Sequence, residues 1–423
     1  MIREQARHHG FAILPSVMNN GPITFDINRR RFLRGALATG ALLMAAPTLR
    51  SRTLAAAFTS ERHFAPVKVA RDRIIREVVG LRPYRPEGFV VAAERMGEKL
   101  LVHNYGHGGA GVTLSWGTAS LAVELARDFI QTTGHGPRRR RSRNLPRRHF
   151  AVLGCGVNGL STARLLQRRF QDGWGTVTIY ARDLPPETTS NIAGGFWHPS
   201  SVYDPQKASP KFTDQFRTAC QMSNRAFQLL VGAEYGVRWI DTFDLLRSEA
   251  PLHREILGGA ALYPQTEIHR DAAQYFGFPY VREYTTLLIE PSIYLNALLR
   301  DFYIAGGRLV VREFRSREEI ARLPEPTVFN CTGLGARALF GDEELIPVRG
   351  QLEVLLPQPE VDYCYVDGGA YMFPRHDGII LGGTWDDGNW SLAPNPEQAS
   401  QILDAHREIM KGVEKSVTIG AKP

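Results

Sequence analysis

Three glycines at a fixed spacing give the sequence its clearest chemical signal. They form a G-x-G-x-x-G motif between the apolar run 150–153 and a segment of helical periodicity. In such a turn the first glycine permits the change of direction, the second lets backbone approach a pyrophosphate, and the third lets helix and strand pack closely. The pyrophosphate would lie at the helix N-terminus, where free N–H groups favour anions. The motif predicts a dinucleotide site formed by Gly154, Gly156, Val157, Asn158 and Gly159.

Two charged residues follow the next predicted strand, which spans residues 176–181. A carboxylate near the end of this strand commonly binds an adenosine ribose, and Asp183 is placed close to that point. Arg182 is expected to lie against the adenine or a phosphate. The motif alone leaves both NAD and FAD open as the cofactor.

The histidines and cysteines do not form a pattern that favours a metal site. His103 and His107 have an i, i+4 spacing, but the Asn-Tyr-Gly between them disfavours a helix and no carboxylate motif accompanies them. The four cysteines are scattered, without a C-x-x-C pair. We interpret them as small buried apolar residues and predict no metal.

The elements that must position these residues fall into two blocks. Residues 61–125 contain two strand-like runs and a glycine-rich turn, and they lead into a helix predicted from Trp116 to Ile130. From His149 onward the pattern becomes strand, tight turn, helix and strand. Further on, a hairpin is predicted over residues 371–385, and a final helix from about residue 395 to about residue 410.

Basic charge is concentrated outside these blocks. The chain has a formal net charge of +8, but residues 1–52 hold eight arginines against two acids, and residues 137–148 hold seven arginines and no acid. The remainder is therefore net acidic. A nucleic-acid platform would interleave basic and aromatic residues on folded elements, and this sequence lacks that pattern. Residues 131–148 are interpreted as a solvated linker, with a membrane or nucleic-acid anchor as the alternative.

The leader has the pattern of an export signal. Asn28-Arg-Arg-Arg-Phe-Leu-Arg34 precedes a short apolar stretch, residues 35–46. Its paired arginines resemble a twin-arginine signal, the route of proteins that are exported folded. This implies the twin-arginine machinery as a partner and a periplasmic location, with cleavage near Ala57 and Met18 as another possible start. An amphipathic surface helix is the alternative.

Several segments together resemble the D-amino-acid oxidase family. Thr188-Thr-Ser-Asn-Ile-Ala-Gly-Gly-Phe-Trp-His-Pro199 is similar to its T-T-x-x-x-A-x-G-x-W-x-P stretch. Cys331-Thr-Gly, Pro347-Val-Arg-Gly-Gln351 and Leu381-Gly-Gly-Thr-Trp-Asp-Asp-Gly-Asn-Trp390 are similar to three later family segments. The resemblance implies FAD as the cofactor, a D-amino acid and O2 as substrates, and 2-oxo acid, ammonia and hydrogen peroxide as products.

The remaining family segments stand ahead of the dinucleotide motif instead of after the final helix. Val79-Gly-Leu-Arg-Pro-Tyr-Arg85 and His103-Asn-Tyr-Gly-His-Gly-Gly-Ala-Gly111 are the matching stretches. The order indicates a circular permutation, which is tolerable where the original termini are exposed and close. The expected fold is α/β (α+β overall), with a Rossmann-like FAD-binding domain and a substrate domain built on a mixed or antiparallel sheet.

The predicted domain bounds follow from this order. Residues 1–57 are the signal, 58–130 the permuted block and 131–148 the linker. The FAD-binding domain comprises 149–200 and 308–350, the substrate domain 201–307 and 351–412, and the tail 413–423.

The resemblance also assigns roles to individual residues. Arg82 matches the arginine that binds the substrate carboxylate, and Tyr371 matches the tyrosine that helps to hold it. Backbone at Gly108, Gly109, Ala110, Gly111, Val112 and Thr113 is expected to approach the flavin ring. Further flavin contacts are expected at Thr188, Thr189, Ser190, Gly194 and Gly195.

Two positions leave the substrate open. Asp367 stands where many family members carry a second active-site tyrosine, and an acid facing the pocket would disfavour acidic D-amino acids. His198, in a loop near the flavin, could favour them. A glycine or secondary-amine oxidase of the same superfamily, an NAD-dependent dehydrogenase and a silent flavoprotein are the alternatives.

Overall fold

The computed structural model describes residues 64–132, 148–169, 175–249, 262–270, 272 and 276–420. The predicted signal and most of the predicted linker lie outside these residues. The described strands are β1 (Ile74–Tyr84), β2 (Val90–Met96), β3 (Lys99–Tyr105), β4 (Arg148–Leu153), β5 (Gly175–Ala181), β6 (Val237–Leu246), β7 (Glu267–Arg270), β8 (Tyr280–Ile289), β9 (Arg308–Val311), β10 (Thr327–Asn330), β11 (Ile346–Leu355), β12 (Tyr363–Asp367), β13 (Ala370–Arg375), β14 (Gly378–Gly382) and β15 (Asp386–Asp387).

Helices are interspersed with these strands along the described chain. Those described are α1 (Gly111–Thr132), α2 (Val157–Arg169), α3 (Thr189–Ile192), α4 (Pro210–Gln228), α5 (Pro291–Ile304), α6 (Arg317–Ala321), α7 (Gly335–Phe340) and α8 (Pro396–Gly420). In the part of the chain that the structure covers, none of them combines the length and apolar character needed to cross a bilayer.

The smaller of two sheets has the order β2-β3-β10-β4-β5-β9 among the described strands. All neighbouring strands from β3 to β9 are parallel, and β2 runs antiparallel to β3. The carboxyl ends of parallel strands meet at one edge, where ligands of open α/β sheets bind. This is the predicted Rossmann-like domain.

The block ahead of the dinucleotide motif completes this sheet. β3 pairs in parallel with β10, with Leu100 opposite Thr327 and His103 opposite Asn330. Its apolar residues are buried on both faces, as expected for a strand inside a parallel sheet. Residues 79–116 therefore fold against the nucleotide-binding elements, as the sequence predicts.

The larger sheet has nine strands in the described residues, in the order β1-β11-β14-β13-β12-β6-β8-β7, with β15 also paired to β11. Its pairs are antiparallel except for β6 and β12, which run parallel. This is the predicted mixed sheet. The predicted domain boundary at residue 350 falls inside β11, which pairs with β1 from residue 346 to residue 355. β11 also pairs with β14 and β15, and all of these strands are in the larger sheet, so residues 346–350 belong to that sheet.

Element ends differ from the predictions where glycine or polar residues obscure the pattern. α1 begins at Gly111 instead of Trp116, and α8 continues past residue 410 into the predicted tail. The predicted hairpin is confirmed as β13 and β14.

Close helix packing explains one glycine of α1, since a Cβ at Gly117 would lie less than 3.0 Å from the carbonyl oxygen of Ala219 on α4.

Candidate active site

A cavity of about 1670 Å³ is lined by residues of both sheets. It extends from the carboxyl ends of β4 and β5 to β1, β13 and the segment after β14. Most of the residues that the sequence assigns to a site line it, namely Arg82, Gly108, Gly109, Gly111, Val112, Thr113, Gly154, Gly156, Val157, Asn158, Arg182, Asp183, Thr188, Thr189, Ser190, Gly194, Gly195 and Tyr371.

Two of the assigned residues lie behind the cavity wall. Gly159 is buried, and a Cβ there would lie less than 3.0 Å from the carbonyl oxygen of Gly154. It has the packing role that the motif assigns to its third glycine. Ala110 was assigned to the flavin contact, but it is fully buried and its N–H donates to the carbonyl of His107 at 3.1 Å. The turn uses this amide internally, and the flavin contact assigned to Ala110 stays a prediction.

The dinucleotide turn has the geometry that its glycines require. Gly154 has φ +104°, and a Cβ there would meet the carbonyl of Cys331 at 2.5 Å. At Gly156 the nearest atom to a Cβ is Ser190 Oγ at 3.1 Å. The N–H of Val157, the first residue of α2, donates to the same Ser190 Oγ at 3.0 Å. The start of α2 and the 188–190 segment thus form one polar wall.

The two charged residues that follow β5, Arg182 and Asp183, form an ion pair with each other. Arg182 Nη2 donates to Asp183 Oδ2 at 2.7 Å, and Arg182 also reaches Glu313 at 3.4 Å. Hydrogen bonding to Asp183 raises the pKa of Arg182. Both side chains line the cavity and are exposed. Asp183 would therefore meet a ribose with its carboxylate already bound by Arg182.

At the other end of the cavity, one guanidinium and one phenol lie side by side. Arg82 Nη2 is 3.3 Å from the hydroxyl of Tyr371, and its Nη1 donates to the carbonyl of Thr384 at 3.4 Å. The Trp385 ring lies 5.6 Å from Arg82 Cζ. Among the described residues no carboxylate forms an ion pair with Arg82, so its charge is available to an anionic ligand.

Glycines on neighbouring strands make room for this pair. A Cβ at Gly350 on β11 would lie less than 3.0 Å from the Arg82 guanidinium, and one at Gly382 on β14 would lie equally close to the Tyr371 ring. Tyr371 and Gly382 are register partners across β13 and β14. Gly350 and Gly382 have no side chain, so they leave the space that the Arg82 guanidinium and the Tyr371 ring occupy.

The glycine-rich turn before α1 supplies polar groups to the middle of the cavity. Gly109 N–H donates to the carbonyl of Ser201 at 3.0 Å, whereas Gly111 and Val112 begin α1 and line the cavity. Thr113 Oγ1 donates to the carbonyls of Phe196 and His198 at 3.3 and 3.4 Å. The turn is therefore joined to the 193–198 segment, and α1 points its N-terminus at the cavity.

Two buried histidines near the cavity are neutral. Burial lowers the pKa of His107 to about 3, and burial together with the charge of Arg282 lowers the pKa of His198 to about 4. His198 Nδ1 is 2.8 Å from the hydroxyl of Tyr263. A neutral ring cannot attract an acidic substrate by charge, so the expectation that His198 would favour acids loses its electrostatic basis.

Asp367 does not face the cavity. The residue of β12 that lines it is Val366, the register partner of Tyr371, and Asp367 lies one position further along with its carboxylate 3.8 Å from Arg247. Successive side chains of a strand point to opposite faces. The case of an acid that faces the pocket and disfavours acidic substrates therefore does not apply to Asp367.

Comparison with known proteins identifies the family. A profile of the DAO family, described as FAD dependent oxidoreductase, matches residues 31–125 and 149–421. This is well over half of the chain. The chain belongs to the DAO family of FAD-dependent oxidoreductases.

Individual relatives are similar at moderate identity. D-amino-acid oxidase of Rubrobacter xylanophilus is 32% identical over 264 residues, covering 60% of this chain and 74% of the relative. D-amino acid oxidase of Dugesia ryukyuensis is 27% identical over 288 residues, covering 65% and 82%. D-aspartate oxidase of Homo sapiens is 30% identical over 265 residues, covering 60% and 73%. Among solved structures, glycine oxidase of Geobacillus kaustophilus gives a TM-score of 0.49 at 16% identity, covering 64% and 80%.

The cofactor that the glycine motif left open is thus FAD, and the cavity of this DAO-family protein fits it. Buried polar atoms of three lining residues have no partner among the described residues: His107 Nε2, Asn158 Oδ1 and Asn104 Oδ1. Such atoms need a hydrogen-bond partner, which a polar cofactor can supply. The pyrophosphate would be held at the start of α2 and the ring beside the start of α1.

Sequence reasoning did not assign Asn104, Thr384 or Trp385 to the site. Asn104 and Trp385 stand within segments that carry the family resemblance, and Thr384 within the same G-G-T stretch. Their roles follow from tertiary contacts, such as the carbonyl of Thr384 on Arg82. The motif around Leu381–Trp390 was the available signal.

Proposed function

We propose that this FAD-dependent oxidoreductase is a D-amino-acid oxidase. The observation that carries the proposal is the pair of Arg82 and Tyr371, which lies in the cavity and has no carboxylate partner among the described residues. The names of the relatives from Rubrobacter xylanophilus and Dugesia ryukyuensis support the same substrate class.

The substrate carboxylate binds to Arg82 in this proposal. A guanidinium presents planar N–H donors that match both oxygens of a carboxylate, and charge-assisted hydrogen bonds of this kind are strong. Tyr371 adds a hydroxyl donor from the same side. The Trp385 ring lies beside the guanidinium, 5.6 Å from its Cζ. These contacts fix the orientation of Cα.

The remaining requirement is removal of a hydride from Cα. When bound, FAD supplies the acceptor for that hydride, and the two electrons pass on to O2 to give hydrogen peroxide. An amine that binds in its neutral form needs no protein base, and we assign none. The imino acid that forms is hydrolysed by water to the 2-oxo acid and ammonia.

Neutral D-amino acids are the proposed preference over acidic ones. Of the cavity-lining arginines in the described residues, Arg82 is carried by the larger sheet, while the others follow strands of the smaller sheet. His198 is neutral because its pKa is lowered to about 4. The substrate end therefore presents one positive charge, which the α-carboxylate takes, and none for a second carboxylate.

Anaerobic bleaching of the flavin absorbance tests the function directly. Purified holoenzyme is mixed with D-alanine, L-alanine, D-aspartate, glycine and sarcosine in turn. D-alanine should bleach the flavin and L-alanine should not. Bleaching by glycine or sarcosine alone would instead assign a glycine or secondary-amine oxidase, and no bleaching by any of them would indicate a silent flavoprotein.

We propose further that the chain is a circular permutation of the family order. Two contacts support it: Val67 N–H donates to Met410 Sδ at 3.1 Å, and Arg407 Nε donates to the carbonyl of Val69 at 3.2 Å. The end of the final family segment on α8 thus lies beside the start of the block that precedes the dinucleotide motif. A short connection could join them in the other order.

Export by the twin-arginine route is proposed from the leader alone. Paired arginines followed by Phe32-Leu33 and a short apolar stretch support it. A cofactor inserted before export requires a route for folded proteins, and tightly bound FAD fits that requirement.

A further inference from the structure

The guanidinium of Arg349, on β11, is buried behind the cavity wall. The side chain is 3% exposed and does not line the cavity. Its five N–H donors all have acceptors. Nε donates to the carbonyl of Ser391 at 3.1 Å; Nη1 donates to Asp386 Oδ2 at 3.3 Å and to Gln398 Oε1; Nη2 donates to Gln351 Oε1 at 3.1 Å and to the carbonyl of Ala393 at 2.6 Å.

Most of these acceptors belong to the segment of residues 383–395, between β14 and α8, which we call the tryptophan loop. This loop lines the substrate end of the cavity with Thr384, Trp385, Trp390 and Leu392. Its carbonyl at Thr384 accepts from Arg82, and its Trp385 ring faces the Arg82 guanidinium. The loop therefore sets the surroundings of the substrate-binding guanidinium.

The tryptophan loop has little apolar burial to hold it in place. Trp385, Trp390 and Leu392 are 42%, 55% and 62% exposed. Its described strand, β15, is two residues long and pairs with β11 at Val348 and Arg349. Exposed loops with few buried contacts open readily, unless polar contacts hold them.

Gln351, two residues along β11, makes further polar contacts to the loop. Its backbone N–H donates to Thr384 Oγ1 at 2.7 Å, and its Nε2 donates to the carbonyl of Asn395 at 3.1 Å. Asn395 N–H donates back to Gln351 Oε1 at 2.7 Å. Arg349 and Gln351 thus hold both ends of the loop from one face of β11.

We infer that Arg349 is a positioning residue that holds the tryptophan loop against Arg82 and so sets the affinity for the substrate carboxylate. The identity of that ligand rests on the proposed function. Arg349 touches neither the cavity nor Arg82, and it acts through the loop carbonyls that it binds. A lysine has three donors on a flexible stem, so it cannot satisfy five acceptors arranged around a planar fork.

The test compares holoenzymes carrying Arg349→Lys, Trp385→Ala and both changes. Substrate affinity is read from the D-alanine dependence of anaerobic flavin bleaching, which separates the apparent Kd from the limiting rate. Arg349→Lys should raise the apparent Kd about tenfold, the range of a lost polar contact, with the flavin retained. If the arginine acts through the loop, adding Arg349→Lys to Trp385→Ala should raise the Kd by much less than it does alone.

Hydrogen exchange at residues 384–395 gives a readout that needs no substrate. Arg349→Lys should accelerate exchange there and leave β1 unchanged. Arg375→Lys is the matched control, because that guanidinium is 5% exposed in the same sheet but donates to Asp377 and to the carbonyl of Ala193. It should not accelerate exchange in the loop. If Arg349→Lys does not fold, Asp386→Asn removes one acceptor charge and should accelerate loop exchange to a smaller extent.

The outcomes separate the two proposals. Two results would overturn the positioning role. One is unchanged hydrogen exchange of the loop in Arg349→Lys. The other is a double variant whose Kd increase equals the product of the increases in the two single variants. If wild-type flavin is not bleached by any D-amino acid, the proposed function is wrong, and accelerated loop exchange alone still supports a positioning role for Arg349.

Discussion

The Nη2 atom of Arg82 lies 3.3 Å from the hydroxyl of Tyr371, although 289 residues separate them in the chain. β1 brings the arginine to the edge of the larger sheet, β13 brings the tyrosine from its centre, and β11 and β14 lie between them. The two side chains meet across those strands because glycines stand beneath them. This pairing joins two blocks of sequence on either side of the dinucleotide motif.

Substitutions of the pair should weaken substrate binding while the flavin stays bound. Arg82→Ala removes hydrogen bonds to a charged ligand, each contributing about 1.5–3 kcal/mol, so the apparent Kd for D-alanine should rise roughly 100-fold or more. Tyr371→Phe removes one donor, and the rise should be roughly fivefold. Anaerobic titration of flavin bleaching measures both.

Arg76→Ala is the control for this series. It removes another arginine of β1, whose exposed side chain pairs with Asp377 at 2.8 Å away from the cavity. Its Kd should equal that of the wild type. Loss of flavin from Arg82→Ala, or an unchanged Kd, would contradict the role assigned to Arg82.

Gly382→Ala should disturb the site by steric displacement, without any change of charge. The added methyl group would lie less than 3.0 Å from the Tyr371 ring, so the ring must move away from Arg82. Overpacking of this kind costs about 1–3 kcal/mol of stability and should also raise the Kd for D-alanine. Gly369→Ala is the matched control, since the nearest atom to its Cβ is 3.9 Å away and φ there is not positive. Equal effects of both substitutions would argue against steric displacement of Tyr371.

Local patterns predicted the nucleotide end of the site well. The turn at Gly154 and the packing of Gly159 follow from residue spacing, because strand, turn and helix are adjacent in the chain. The residues at the substrate end could be predicted only from the family resemblance, since no local pattern relates Arg82 to Tyr371.

The features that the sequence could not predict have a common physical origin. The direction of Asp367 depends on the register of β12 against β13, and a shift of one residue changes the face on which a side chain lies. The acceptor of the Ala110 N–H, the carbonyl of His107, depends on the shape of the turn. The role of Arg349 depends on five acceptors, of which the nearest in sequence is Gln351 and the others lie 37 to 49 residues away. Sequence spacing does not encode such contacts.

Stability should fall as the pH is lowered from about 6.5 to about 4, because buried histidines stay neutral in the folded state. Burial lowers the pKa of His107 to about 3 and the pKa values of His198 and His406 to about 4. The unfolded chain takes up these protons near its ordinary pKa, so in this window it binds more protons than the folded state. Each histidine contributes up to about 1.4 kcal/mol of lost stability per pH unit.

The measurement is the thermal unfolding midpoint of the holoenzyme across this pH range. His406→Gln should reduce its slope against pH. A midpoint that does not change from pH 6.5 to 4.5 would show that these rings are protonated in the folded protein.

The leader should direct export only with its arginine pair intact. Replacing Arg29 and Arg30 by lysine keeps the charge but removes the guanidinium pair that the resemblance requires. Fractionation of a bacterial host should place the wild type in the periplasm and the double-lysine variant in the cytoplasm, with flavin bound in both. The same distribution for both variants would exclude the twin-arginine route, and retention of the wild type in the cytoplasm would exclude export.

Restoring the family order should preserve the fold if the chain is a permutation. In the transposed chain, residues 149–412 are followed by a short glycine-serine linker and then by residues 64–130. The linker has little distance to span, because Val67 and Met410 are in contact. Closing so short a loop costs little entropy. Residues 131–148, the predicted linker, are omitted. The transposed protein should bind FAD in equal stoichiometry, with the wild-type apparent Kd for D-alanine. An insoluble or flavin-free product, alongside a soluble yellow wild type, would show that the present order is required for folding.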